Sequence, residues 1–216
     1  MAIMVIALGV IYSRIFKLSL SDFMPFLCVG LLVWNFISSI LTEAGDLFTG
    51  AESYIKQIRL PYSLYVFRFI WSKMIVFGHN FIIYLCILLY FELWPGNSAI
   101  YALPGLVVIV MNGVFVAFYV GIISTRFRDV PQITASLAQI AFFVTPIMWK
   151  PSLLGSDQIV ATMNPFFHLI EIIREPLLGK PPTLNNYIAA AIITTTNGSL
   201  ASFFFARYRA RISYWV

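Results

Sequence analysis

The 216 residues are 60% hydrophobic and 17% aromatic, with only 11% charged, which is more apolar side chain than a soluble domain can bury. The net charge of +5 does not indicate a nucleic-acid partner, because the basic residues sit between long apolar runs, where they set membrane orientation. Cys28 and Cys86 each lie inside an apolar run, with no CxxC or Cys/His spacing, so neither a disulfide framework nor a metal site is indicated.

The pattern predicts an all-α integral membrane protein. A membrane-crossing helix needs about 20 predominantly apolar residues. The first apolar run, 1–16, reaches its first charge at Arg14 and is read as a truncated first span; no basic residue precedes it, and no small-residue cleavage site follows, so it lacks a signal-peptide pattern. After a polar connection, 23–42 is a second, charge-free span, and Glu43, Asp46 and Glu52 lead out of it.

The stretch 51–68 is basic and broken by Leu60-Pro61, since proline disfavours helix in the residue before it and fixes its own φ. Two short helical pieces meeting at Pro61 are predicted. In the first, Tyr54, Ile55 and Ile58 make an apolar side, with Lys56, Gln57 and Arg59 on the rest. Such a knuckle can dock in another protein's groove; the plainer alternative is a basic loop obeying the positive-inside rule.

A third span, 69–93, exits through the Trp94-Pro95-Gly96-Asn97 turn, and a fourth, 100–125, runs into Arg126-Phe127-Arg128-Asp129. A fifth, 130–149, carries Pro131 and Pro146 near its ends. A sixth, 183–206, is only weakly apolar through Thr194, Thr195, Thr196, Asn197 and Ser199, and is expected to pack against protein. Lys56, Arg59, Arg68, Lys73, Arg126, Arg128, Arg207, Arg209 and Arg211 fall on one side; Arg14, Lys17, Lys150, Arg174 and Lys180 fall on the other. Nine against five places the knuckle, the 126–129 loop and the C-terminus in the cytoplasm.

Before the last span, Asn164-Pro165 is a helix start, with a capping side chain and proline at the first helical position. Phe166, Leu169, Ile170, Ile173 and Leu177 then recur at helical spacing, with His168, Glu171 and Glu175 opposite, and Pro176 and Gly179 end the element. This is an amphipathic outer-surface helix or one arm of a re-entrant hairpin.

No GxxxxGK[ST] occurs, so any ATP-driven work needs a second polypeptide. His168 and Glu171 form HxxE, but the only other histidine, His79, lies on another span; a polar face answering Arg174 is the better reading. His79-Asn80 is expected to serve helix packing rather than a proton relay, since the spans hold no carboxylate partner. No acidic cluster with a neighbouring base points to an enzyme of lipid-linked sugar metabolism. Asn197-Gly198-Ser199 has glycosylation spacing but sits inside a span. Trp34, Trp94, Tyr101 and Trp149 fit interfacial belts; alternatively Trp34, Phe36, Phe142 and Phe143 face a conduit and stack on passing sugar rings.

YIKQIRLPYSLYVFR after the second span, STRFRDVPQI after the fourth, FFVTPIMWKP closing the fifth and MNPFFHLIEIIREPLLG before the sixth together resemble the permease subunits of polysaccharide-exporting ABC transporters, in particular the O-antigen and capsule export group of the type-2 exporter architecture. The resemblance implies six transmembrane helices in the bacterial inner membrane and a homodimer with the conduit at the subunit interface. It also implies two copies of a separate ATP-binding subunit, which would hold ATP and Mg, with lipid-linked polysaccharide as cargo. Tyr54, Ile55, Lys56, Ile58, Arg59 and Pro61 would then form the coupling helix seated in the ATPase, joined by Arg126, Arg128 and Asp129. Asn164, Pro165, His168, Glu171 and Arg174 would belong to a periplasmic element near the exit. No catalytic, cofactor or metal residue is assigned in this chain. The start of the chain departs from the family, whose members begin with a cytoplasmic amphipathic helix and a complete first span. A permease for a drug or a simple lipid is the alternative reading.

Overall fold

The computed structural model describes residues 1–58, 60–151 and 159–216. These form α1 (Ala2–Ile15), α2 (Leu20–Glu43), α3 (Glu52–Gln57), α4 (Tyr62–Tyr90), α5 (Ala102–Arg126), α6 (Val130–Val144), α7 (Ile159–Thr162), α8 (Pro165–Leu177), α9 (Leu184–Tyr208) and α10 (Ile212–Trp215), with 3-10 turns at 44–46, 49–51, 96–101 and 209–211. The described residues contain no strand. Four helical segments, Leu20–Asp46, Tyr62–Tyr90, Gly96–Arg126 and Leu184–Trp215, are long and apolar enough to cross a membrane; α1 and α6 are apolar but shorter.

The helix bounds refine the expected spans where local chemistry intervenes. α4 starts at Tyr62 rather than 69, because Pro61 caps it in an extended conformation (φ −59°, ψ 133°) and nothing interrupts the helix beyond. The piece after Pro61 is therefore not short but the base of a 29-residue helix that carries Arg68 and Lys73. α6 stops at Val144, short of 149, because Thr145 precedes a proline and turns extended (φ −83°, ψ 134°). Its 15 residues span about 22 Å, less than the roughly 30 Å of hydrocarbon.

α2 is the hub. It packs against α1, α4, α5, α6 and α8, and Phe23, Leu27, Cys28, Val29 and Val33 along it are fully buried. α4 and α9 instead turn many of their apolar side chains outward, among them Phe67, Trp71, Leu89, Ile192 and Phe203. An aqueous fold would not leave these exposed; a hydrocarbon environment removes the cost. His79 also sits on the outer face of α4, contrary to the packing role expected of it. Its Nδ1 instead lies 2.8 Å from the Ile75 carbonyl of its own helix. At the exit of α4, Trp94 and Tyr101 are exposed, as belt residues are.

Because hydrocarbon gives apolar helices no reason to associate, polar contacts and close backbone approach decide which ones pair. Between α5 and α9, Asn112 Nδ2 donates to Thr194 Oγ1 at 2.7 Å and to the Val108 carbonyl at 2.8 Å, and Asn197 Nδ2 donates to Asn112 Oδ1 at 2.8 Å. The Tyr119 hydroxyl donates to Asn197 Oδ1 at 3.4 Å. The expected packing of the last span against protein is thus a hydrogen-bonded seam, and the Asn197 motif is engaged in it. Asn112→Leu removes two interhelical bonds, each worth roughly 0.6–1.7 kcal/mol inside a membrane, so a loss of about 1–3 kcal/mol is expected in detergent unfolding measurements.

α5 meets α8 at Gly105, where an added Cβ would lie 2.6 Å from the Ile172 carbonyl oxygen. α8 is consequently sunk into the bundle. Leu169, Ile170, Ile172 and Ile173 are buried, and so are Glu171 and Arg174. An outer-surface helix with its polar side in water is not what forms; the polar residues find their partners inside.

Candidate functional site

Three surfaces collect the residues singled out by the sequence. The first is a groove of about 550 Å³ between α1, α2 and α6. On α2, Leu31, Asn35, Ser38 and Thr42 follow at i, i+4, i+7 and i+11 and so share one face. Ala138, Gln139 and Phe142 of α6 form the facing wall, and Met1 and Met4 close the side. The Ser38 and Thr42 hydroxyls donate to the carbonyls of Asn35 and Ser38, at 3.3 and 2.9 Å, which leaves their oxygens able to accept. The side-chain amides of Asn35 and Gln139 make no hydrogen bond among the described residues, although both lie within apolar helices. A polar group at membrane depth must meet protein, water or a polar ligand.

Three of the four aromatic residues expected along a conduit come together here. The Trp34 and Phe142 rings are 5.9 Å apart between centroids, and Phe142 and Phe143 are 5.5 Å apart. Phe143 is 66% exposed, whereas Trp34 is only 6% exposed and packs edge-on against Phe166 of α8, so it supports the wall rather than facing an aqueous path or a belt. Phe36 does not join them. Two positions from Trp34 is about 200° around a helix, and Phe36 points instead at Phe77, 5.6 Å away, and into a separate cavity of about 310 Å³ that is also lined by Asn112 and Asn197.

The second surface is the basic end of the bundle. α3 leaves the chain after the 49–51 turn, with Tyr54 59% and Ile58 51% exposed, while Ile55 packs inward against the core. Lys56 Nζ pairs with Glu52 Oε1 at 2.6 Å. The Glu52 carboxyl is held below the usual carboxylate range, first by the Lys56 hydrogen bond and charge and then by the more distant charge of Arg128. Arg128 thus acts on Glu52 through its charge, and both Arg128 and Asp129 are exposed. Arg126 turns away. Its guanidinium stands 5.5 Å from the Trp215 ring and 6.0 Å from that of Phe127. Arg59 lies outside the described residues. Lys73 of α4 pairs with Glu43 at the end of α2, which ties the base of α4 to the hub.

The third surface is the opposite end, built on α8. Asn164 caps α8 through Oδ1, which accepts from the Phe166 N–H at 2.9 Å, and its Nδ2 donates to Thr145 Oγ1 at 2.9 Å, so one side chain both starts α8 and anchors the end of α6. Pro165 occupies the first helical position. His168 engages both ring nitrogens, with Asn186 Oδ1 and with the Thr162 carbonyl, each at 2.7 Å. It does not share a site with Glu171. Glu171 is ion-paired to Arg174, as the sequence spacing indicated, but the pair is buried. Arg174 also donates through Nη1 to the Pro146 carbonyl at 2.8 Å, and its guanidinium lies 4.0 Å from the Phe26 ring centroid. A cleft of about 590 Å³ beside it is lined by Phe26, Trp94, Lys150, Glu175 and Lys180, among others.

Sequence reasoning missed Asn35, Ser38, Thr42 and Gln139 as a polar stripe, and Asn112 as the partner of Asn197. The signal was present in each case: a polar residue inside a charge-free run, repeated at helical spacing for α2. No family model matches the chain, and no curated protein matches it.

Proposed function

We propose that this chain is the transmembrane subunit of an ATP-driven ABC exporter that moves lipid-linked polysaccharide, such as O-antigen or capsule, across the bacterial inner membrane. The observation that carries the reading is the groove of α1, α2 and α6. Asn35 and Gln139 bring unmet amides, and Phe142 and Phe143 bring aromatic faces, to an outward surface in otherwise apolar helices. Hydroxyl-rich sugar rings offer both complements, hydrogen-bonding edges for the amides and apolar faces for the rings. A second copy facing this groove would close a conduit at the dimer interface, and α1 and α6 would complete a six-helix membrane domain.

In this reading the basic end, including the C-terminus, is cytoplasmic, and α8 belongs to a periplasmic element near the exit. Two copies of a separate ATP-binding subunit, holding ATP and Mg, sit beneath α3. Exposed Tyr54 and Ile58, with Lys56 and Arg128 beside them, are the docking surface. A push on α3 passes through Pro61 to the rigid α4, and through the Lys73–Glu43 pair to α2, whose other face forms the groove. No nucleic acid takes part.

The test is to locate lipid-linked polysaccharide in cells lacking the gene and to complement them with variants. Polysaccharide held on the cytoplasmic side and released by the intact gene supports the assignment; normal surface glycan in the deletion, with no redundant exporter, rejects it in favour of a small-molecule or lipid permease. Ile58→Asp with Arg59→Glu should abolish co-purification of the ATPase and export together. Asn35→Leu with Gln139→Leu should leave the ATPase bound and slow export about tenfold or more, as expected when two polar groups at a path are made apolar.

A further inference from the structure

At the basic end, α5 and α9 run side by side, with the Phe118 and Phe205 rings 5.1 Å apart, and between their ends lies a cleft of about 340 Å³. Its floor is apolar, formed by Ile122, Ile123 and Phe204. Its mouth carries the two guanidinium groups of Arg126 and Arg211, and the turn from Arg209 to Trp215 folds back so that Tyr208 and Trp215 make one wall. Burial of Ile212 fixes that turn against the bundle, and the Trp215 ring lies 5.7 Å from Tyr208.

Neither arginine has a carboxylate within ion-pair distance among the described residues, and neither donates a side-chain hydrogen bond there. Arg126 instead stands over the Trp215 and Phe127 rings, a cation–π contact that does not use its donors. Arg126 ends α5, where the negative end of the helix dipole favours a cation. The arrangement is amphipathic over a few ångströms, with two exposed guanidinium groups set beside apolar side chains of α5 and α9.

We infer that this cleft binds the phosphate-bearing headgroup of an anionic membrane phospholipid. The phosphate lies between Arg126 and Arg211, the glycerol region rests on Tyr208 and Trp215, and the upper part of one acyl chain occupies the slot over Ile122, Ile123 and Phe204. The volume accommodates a headgroup and the start of a chain, not a whole lipid. The apolar floor separates this from a site for soluble phosphate, which would have no use for it. Positive-inside orientation alone asks only for charge near the membrane surface; Arg207 and Arg209, exposed on the same stretch, supply that and line no part of the cleft.

The test is native mass spectrometry of the full chain in a neutral detergent, titrated with dioleoyl phosphatidylglycerol, dioleoyl phosphatidylcholine or glycerol 3-phosphate. One phosphatidylglycerol should bind more tightly than phosphatidylcholine. Arg126→Gln or Arg211→Gln should each weaken it about fivefold and the pair about 25-fold, while Arg207→Gln with Arg209→Gln stays within about twofold. Both cleft arginines are exposed, so unchanged melting temperatures are expected and serve as the fold control. If the paired variant nevertheless melts early, the single variants carry the comparison. Equal binding of the two lipids, equal loss in the Arg207/Arg209 control, or displacement of the lipid by equimolar glycerol 3-phosphate would each overturn the proposal.

Discussion

Arg174→Ala is expected to lower the stability of the folded chain by about 3–5 kcal/mol, the cost of breaking a buried ion pair by removing one partner. Arg174 has no exposed surface, and its loss strands Glu171, which is 7% exposed, beside the freed Pro146 carbonyl. It also empties the space over Phe26, into which α2 packs against α8. Glu171→Ala should be nearly as damaging, because it leaves a buried guanidinium with one carbonyl and one aromatic face. The paired change Arg174→Met with Glu171→Leu should recover most of the loss, since a buried pair replaced by apolar groups of similar volume is often neutral. Denaturant unfolding in detergent measures the cycle, and a coupling near zero between the two sites would remove the pair from the account of α8.

Gly105→Val is the second substitution with a large expected effect. Even an alanine Cβ would stand 2.6 Å from the Ile172 carbonyl oxygen and 3.1 Å from its carbon, and neither is a side-chain end that can rotate away. α5 and α8 must separate, at about 1–3 kcal/mol for the first methyl, with more for valine. The effect should reach the groove, because α8 begins at the Asn164 cap that also holds Thr145 and the end of α6. Gly78→Ala is the internal control: nothing lies within 4 Å of its Cβ position, and alanine is the better helix former by about 1 kcal/mol. Thermal unfolding should show Gly105→Val lowered and Gly78→Ala unchanged or raised; equal behaviour of the two would mean that α5 and α8 are not held at this contact.

The break at Pro61, the cap and proline at Asn164-Pro165, and the long apolar runs were legible in the chain because they are local, set by proline sterics, by side-chain capping and by the absence of charge over a membrane's thickness. So was the Glu171–Arg174 pair, three residues apart on one helix. The inward face of each helix was not legible. In a soluble helix the polar side marks the outside, but where lipid is as apolar as the core, periodicity stops reporting burial. That is why Phe36 and Trp34 appeared equivalent although Trp34 backs the groove and Phe36 lines a separate cavity, why α8 reads as a surface helix although Glu171 and Arg174 are internal, and why Arg126 and Arg128 appeared to share one loop surface although Arg126 turns to Trp215. Composition and helical punctuation by themselves determined that the chain is helical, built for a membrane, broken at Pro61 and restarted at Asn164-Pro165. Only the packing of the helices on one another, α2 against its five neighbours and α5 against α9, decided which polar residues meet each other and which are left facing a groove, because those choices depend on contacts between positions far apart in the chain, such as Asn112 with Asn197, 85 residues on.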